Sequence, residues 1–427
     1  MPLQAQDVFT PGAFPAHTYV ERGQHGLEQS LIDSLSTKGQ VIALSGPSKS
    51  GKTVLVEKVV GPDLLISISG ISVQEPNDVW TRILDWMNLP DTVVQIEKST
   101  GSFGVDVAAK GNVGVPFVAS GELSTTGKLL RATETSTGST TERRGLLQVV
   151  HEIANSDFVV LVDDFHYMPR AIQSDVAKSL KEAVRLGIKL VTATVSHRGD
   201  DVVRANPELR GRVRSIDLDY WNAEELGQIA VTGFRALNAD LDPAAIERLV
   251  NESAGSPQLM QLLCLQACFV MGLRIEHEGI FPRTLNPGDD QMQLIFTQTS
   301  ASTDFRSLVD VLDAGPRTRG TERKTYRFHD GQTGDVYRVV LRAVASNPPQ
   351  LSFAYDELLK RTEAICDGES PVGSSVTGTC LHMSKLAEER FPAERTIDWD
   401  ESKPVFDLPD PYFMFYLRWS GRLKSLQ

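Results

Sequence analysis

The sequence predicts an α/β fold organised around a parallel sheet, and three observations carry that prediction. The apolar run "VIAL" (41–44) leads into "GPSKSGKT" (46–53) and then into a helical pattern. A second apolar run, "FVVLV" (158–162), ends in Asp163 and Asp164, as expected of a strand buried on both faces with acids at its carboxyl end, where ligands sit in such sheets. Between that run and the apolar "IKLVTATVS", Ile172, Val176, Leu180 and Val184 recur every four residues, so strands and amphipathic helices alternate.

"GPSKSGKT" meets the pattern G-x-x-x-x-G-K-[ST] in full. Gly46 and Gly51 permit backbone conformations that a Cβ would resist, so the loop Gly46, Pro47, Ser48, Lys49, Ser50, Gly51 can curl its N–H groups into an anion site at a helix N-terminus. Lys52 is then expected to reach the β- and γ-phosphates of ATP or GTP, and the Thr53 hydroxyl to ligate Mg²⁺. Asp163 would hold that Mg²⁺ through water, and Asp164 would accept a proton from, or orient, an attacking water. The plain alternative is a strand, turn and helix that happen to contain a lysine and a capping acid.

At 427 residues the chain exceeds one typical core, and two or three domains are expected. With 43 basic against 55 acidic side chains, net −12, no global basic field draws it to nucleic acid or an anionic membrane, so any such contact must be local. Cys264, Cys268, Cys366 and Cys380 show no C-x-x-C spacing, which suits a reducing cytosol and argues against a zinc site. No run approaches the roughly 18 apolar residues of a membrane span, and "MPLQAQDVFTPG" lacks the basic and apolar regions of a signal peptide; a soluble, cytoplasmic protein is expected.

The elements follow in order. Leu27, Leu31 and Leu35 mark a helix ahead of the first strand; "DLLISIS" (63–69) reads as the second strand, and "NDVWTRILDWMNL" as a helix burying Val79, Ile83 and Trp86. Residues from about 95 to 140 are rich in Gly, Ser and Thr with alternating apolar positions, the pattern of a glycine-rich β-hairpin insertion or of a surface loop. After "FVVLVDD" and its helix, "NPELRGRVRSIDLDYWNAEEL" gives a basic turn, an apolar strand, and a helix with Asn222 as N-cap and Glu225 three residues on. "DPAAIERLVNESAG" and "SPQLMQLLCLQACFVMG" add helices that read as a small domain behind the core.

The order of phosphate loop, "LVDD" strand, strand ending near Arg198, "ELRGRVR" turn and helical "AGSPQLMQLLC" resembles AAA+ and STAND ATPases, in particular those similar to archaeal origin-recognition ATPases, over roughly residues 15 to 275. The resemblance implies a P-loop NTPase core with a helical lid. "YVER" resembles the short motif lying against adenine, which makes Val20 and Arg22 adenine-side candidates, and Gly255, Ser256 and Pro257 resemble the STAND G-x-P whose proline touches nucleotide. It further implies Arg198 as a reader of the γ-phosphate, and Arg212, with Arg210 as runner-up, as an arginine offered to a neighbouring subunit. Two departures stand out: Asp164 where a glutamate is usual, and Pro257–Gln258 where many AAA+ lids carry arginine.

The chain is therefore expected to divide into a core (1–218, with the insertion), a lid (219–280), a linker with a basic patch (281–329) and a C-terminal domain (330–427). "GDVYRVVLRAVASNPP", "FAYDELLKRTEAIC" and "SSVTGTCLHMSKLAEER" read as three helices, and "TIDWDE" with "PVFDL" as a two-stranded wing, so this last domain resembles a winged helix ending in an Asp-Pro-aromatic motif, "LPDPYFMFYLRW". Its 11 basic and 15 acidic side chains weigh against strong duplex binding. The better basic patch is Arg317, Arg319, Arg323, Lys324 and Arg327, readable as phosphate-backbone contacts or as a solvated linker. Two functions are compatible with this pattern: an ATP-driven switch that self-associates or controls a partner, in the manner of prokaryotic signalling and anti-phage relatives, or a DNA-binding loader similar to origin-recognition proteins. Net charge favours the switch.

Overall fold

Among the described residues, seven strands lie within positions 41–217: β1 (Val41–Ser45), β2 (Leu65–Ser69), an antiparallel pair β3 (Thr92–Ile96) and β4 (Gly138–Glu142), then β5 (Val159–Asp163), β6 (Lys189–Thr194) and β7 (Val213–Asp217). The structure is a computed structural model that describes residues 2–22, 26–89, 92–96, 138–142, 145–195, 201–317, 322–392, 396–401 and 403–425. β2, β5, β6, β1 and β7 form, in that order, one parallel sheet. Strand alternation sorts its side chains to two faces. Val160 and Val162 join a cluster with Val79, Trp80, Val176 and Leu180, whereas Val159 and Leu161 pack with Leu27, Leu31, Leu55 and Val56. Helices therefore cover both faces, as a parallel sheet requires, and the result is a P-loop NTPase fold. Register aligns Ser45 with Thr194 and Asp217, and Ser69 with Asp163, so the carboxyl ends of the strands share one edge.

A helical body follows, made of Ala223–Ala236, Pro243–Glu252, Pro257–Val270 and Asp289–Ala301, with a short parallel pair β8 (Ala239–Leu241) and β9 (Arg283–Leu285). Asn222 and Glu225 make the capping box that their spacing predicts. The chain's first residues belong to this body: Ala5, Val8 and Phe9 are wholly buried in its core, and the Phe9 ring lies 5.2 Å from that of Phe234. Residues 281–329 hold structure of their own, with Met292, Ile295 and Phe296 packed in the helical body and Leu308, Val309 and Leu312 in the C-terminal one.

The C-terminal body opens with a two-residue antiparallel pair, β10 (Tyr326–Arg327) and β11 (Thr333–Gly334). Helix Val336–Val344, β12 (Ser352–Ala354), helices Tyr355–Ile365 and Gly373–Arg390, β13 (Asp398–Asp400) and β14 (Val405–Asp407) follow, and the three strands pair antiparallel in the order β12-β14-β13. Helix Pro411–Trp419 closes it, placing Phe415 in the helical body's core and Phe413, Met414, Tyr416 and Leu417 in the C-terminal core.

Three expectations need adjustment. Trp86 is 44% exposed and Trp80 is buried instead, because the inward stripe of helix Asp78–Trp86 runs through residues 79, 80, 83 and 84. The expected insertion begins and ends in the β3–β4 pair, and residues 97–137 lie outside the described residues. The basic patch is paired in part: Arg323 bonds Asp335 at 2.6 Å, Lys324 bonds Glu369, and Arg327 bonds Asp367 at 3.3 Å, while Arg317 is exposed and Arg319 lies outside the described residues. Among the described residues, no helix is long and apolar enough to cross a membrane.

The seam between the first residues and the helical body is tight enough to test. A Cβ at Gly233 would come 2.3 Å from the buried Phe9 ring and 2.9 Å from Thr18. Gly233→Ala is expected to lower unfolding free energy by about 1–3 kcal/mol despite the better helix propensity of alanine. Urea denaturation measures this; a more stable variant would show that the seam yields freely.

Candidate nucleotide-binding site

The loop between β1 and helix Lys52–Val60 supplies the centre of the site. Gly46 follows β1 where a Cβ would meet both the Leu218 Cβ and its carbonyl oxygen at 2.8 Å, so only glycine fits beside β7. Gly51 has φ +94°, in the left-handed region, and caps the helix with no side-chain acceptor, leaving its first N–H groups for a ligand. Lys52 is 7% exposed, and its Nζ donates to the carbonyls of Gly46 at 2.9 Å and Pro47 at 2.8 Å. The Trp221 indole N–H donates to the Ser50 carbonyl at 2.9 Å, tying the loop to the entrance of the helical body.

β5 delivers the acids. Thr53 Oγ1 donates to Asp163 Oδ2 at 2.6 Å, and the Asp164 N–H donates to Asp163 Oδ1 at 2.9 Å. Asp164 itself has φ +54°, a left-handed conformation that aspartate tolerates better than most residues. Burial, and then the neighbouring Asp163 charge, push its carboxyl up to about 6, with Lys52 opposing. Burial also lowers the Lys52 ammonium, against the raising influence of Asp163 and Asp164.

These groups line a cavity of about 480 Å³, of a size that suits a nucleotide-like ligand. The structure brings Ser48, Lys49, Ser50, Gly51, Lys52, Thr53, Asp163, Asp164, Val20, Arg22 and Pro257 to its walls. Gly46 and Pro47 sit behind them as the acceptors of Lys52. Arg22 lines the cavity with its guanidinium committed elsewhere: Nε donates to Glu225 at 3.0 Å, Nη1 donates to the Asp219 carbonyl at 3.2 Å, and the group lies 5.3 Å from the Trp221 ring centre. Ser256 caps helix Pro257–Val270 by accepting from the Leu259 N–H, and so fixes the proline corner at the cavity wall. Arg212 does not join them. It precedes Val213, which pairs with Val41 at the amino end of β1, so it lies at the edge of the sheet opposite the loop. Arg198 falls outside the described residues.

Sequence reasoning missed part of the enclosure. Gln261, 5% exposed, donates to Thr18 Oγ1 at 2.6 Å and accepts from the Thr10 N–H at 3.3 Å, which ties the N-terminal loop to the helical body over the cavity. An amide inside the apolar run "LMQLLC" was the available signal. Gly70 gave none: a Cβ there would lie 2.4 Å from the Asp164 carbonyl, so the turn after β2 supports the backbone of the two acids.

The site fits a phosphate and a divalent cation on its own terms. Ser50 Oγ is buried with no hydrogen-bond partner among the described residues, the helix N-terminus has uncapped donors, and a hydroxyl and a carboxylate stand side by side at Thr53 and Asp163.

Comparison with solved structures gives several similar chains. The chain is similar to Cdc6p from Pyrobaculum aerophilum (13% identity, 98% of each chain, TM-score 0.43). It is also similar to the ORC2 protein of Aeropyrum pernix (12%, 98% of each chain, 0.46) and to the Walker-type ATPase PABY2304 of Pyrococcus abyssi (14%, 93% of this chain and 96% of that one, 0.48). No protein-family model matches the chain, and no curated protein does either.

The raised Asp164 carboxyl has a consequence for stability. Between its ordinary value near 3.8 and its folded value of about 6, the folded chain binds more protons than the unfolded chain, so this group makes stability fall as pH rises through that window. Asp164→Asn removes the cost. The melting temperature of the nucleotide-free variant should exceed that of the wild type by an amount that grows from about pH 4 to pH 6 and is flat above. A difference independent of pH would place the Asp164 carboxyl in solvent.

Proposed function

We propose that the protein binds and hydrolyses ATP and uses the cycle as a conformational switch. The observation that carries this is the single cavity on which the phosphate loop, the two acids of β5, the N-terminal loop and the Pro257 corner converge. In this reading the loop N–H groups and Lys52 hold the phosphates, and Val20 with the N-terminal loop receives the adenine. Asp164, poised by burial near pH 6, takes the proton of the attacking water. Thr53 and Asp163 would hold Mg²⁺, which when bound neutralises phosphate charge. The N-terminal loop and Gln261 keep bulk water from the site, so that the donors act in a low dielectric.

The order helix, strand, helix, helix, strand, strand in the C-terminal body supports a winged helix. We assign it a reporting role rather than DNA reading, because the nearby basic side chains Arg323, Lys324 and Arg327 are paired with acids. The STAND resemblance suggests a setting in prokaryotic signalling or anti-phage defence, with a separate chain as partner. Self-association belongs to the same proposal: Arg212, exposed at the far edge of the sheet, is placed to serve a neighbouring copy rather than its own loop.

Lys52→Ala should weaken ATP binding by roughly a hundredfold, since a buried ammonium contacting two phosphates is removed; equilibrium titration with a labelled ATP analogue is the measurement, and unchanged affinity would sink the site assignment. Asp164→Asn should keep ATP bound while turnover falls roughly a hundredfold. If hydrolysis occurs between copies, mixing Arg212→Ala with Asp164→Asn protein should restore part of the turnover, and no rescue at any ratio would remove Arg212 from the chemistry.

A further inference from the structure

We propose that Lys49 of the phosphate loop and Asp410 of the C-terminal body form an electrostatic latch, broken when phosphate enters the loop; this rests on the switch reading above. Lys49 Nζ donates to Asp410 Oδ1 at 2.9 Å and lies 4.4 Å from the centre of the Tyr412 ring. The side chains are 28% and 19% exposed, so water screens the pair only in part. Asp410 also caps helix Pro411–Trp419, where the same Oδ1 accepts from the Tyr412 N–H at 2.9 Å.

The position of this pair is what gives it a regulatory meaning. Lys49 lines the cavity that the phosphates would enter, and Asp410 sets a carboxylate on the ammonium from outside that cavity. A polyanion in the loop attracts Lys49 and repels Asp410, so nucleotide and the C-terminal body compete for one cation. The other end of the helix is anchored to the helical body: Arg418 makes a bidentate pair with Glu252 at 2.7 and 2.9 Å, and the Trp419 indole N–H donates to Glu252 at 2.6 Å. Glu252 ends the helix just before the Ser256–Pro257 corner of the cavity. One buried helix thus touches the phosphate loop at its start and the lid at its end. A second approach lies nearby: His166 and Tyr167, two and three residues beyond Asp164, line a cavity of about 70 Å³ with Ser384, Glu388 and Pro409.

Linkage requires that whatever opens the latch also tightens nucleotide binding. Asp410→Asn is the decisive variant, because asparagine caps a helix as well as aspartate does while the charge is lost. Two measurements on the full chain are needed: affinity for a labelled, non-hydrolysable ATP analogue with Mg²⁺, and the distance between spin labels on the core and the C-terminal body, with and without the analogue. The latch predicts that Asp410→Asn binds the analogue about fivefold tighter, at the low end of ordinary coupling, and that its nucleotide-free distances shift towards those of the bound wild type. In a Lys49→Gln background the gain from Asp410→Asn should shrink to what the lost repulsion between Asp410 and the polyanion alone supplies; an undiminished gain would show that no Lys49–Asp410 pair is being broken. If the wild type responds to nucleotide but Asp410→Asn matches it in affinity and distance, the latch is wrong and the switch stands. If the wild type shows one distance distribution under all conditions, the switch fails and the latch with it.

Discussion

Burying the ammonium of Lys52 is the constraint around which the rest of the site is arranged. A cation that is 7% exposed needs compensation from fixed groups. The carbonyls of Gly46 and Pro47 supply two acceptors, and they come close enough only because the chain leaves β1 without a Cβ at the point where it passes Leu218, the residue after β7. Asp163 and Asp164 supply opposing charge from β5, and Thr53 holds the first of them in place. The strand order that sets β6 between β1 and β5 is therefore part of the electrostatics. So is the proton affinity of Asp164: two carboxylates and one ammonium in a half-dry space leave one acid easily protonated.

The cavity itself belongs to no single segment. Its walls come from the N-terminal loop, the phosphate loop, the ends of β5 and β7, and the first turn of helix Pro257–Val270. Polar links across these pieces include Gln261 to Thr18, Trp221 to Ser50, and Arg22 to Glu225. Each joins residues far apart in sequence, so the order of the enclosure depends on the helical body and core staying packed together, and movement of one against the other must change the shape of the site.

The legible part of this arrangement was local. The phosphate loop, the acid-tipped strand, the Asn222 capping box and the Ser256–Pro257 corner are each written in fewer than ten consecutive residues, and the spacing of residue types dictates their geometry. What the sequence hid depends on distant pairing. Gly70 looks like any turn glycine until the Asp164 carbonyl is seen against it, and the burial of Ala5, Val8 and Phe9 in the helical body cannot be read from a Pro-rich start. The pairing of Arg323, Lys324 and Arg327 was hidden for the same reason: Asp335, Glu369 and Asp367 meet them from positions that only the fold brings near. Trp86 misled because intervals of four and three suit a helix face one position away from the true one.

Helix Pro411–Trp419 carries a consequence for solubility. Its aromatic side chains are divided between two cores, with Phe415 and Trp419 against Phe296 on one side and Phe413 and Tyr416 against Phe305 on the other. Parting the helical and C-terminal bodies would bare a contiguous aromatic strip, and strips of that kind are not left in water by soluble monomers. An opened molecule must therefore find another apolar surface to cover it, either a partner's or its own copy's. On the proposed switch reading, opening and association would become one thermodynamic event, and the concentration of the chain, as much as the occupancy of its phosphate loop, would set how much of it is open.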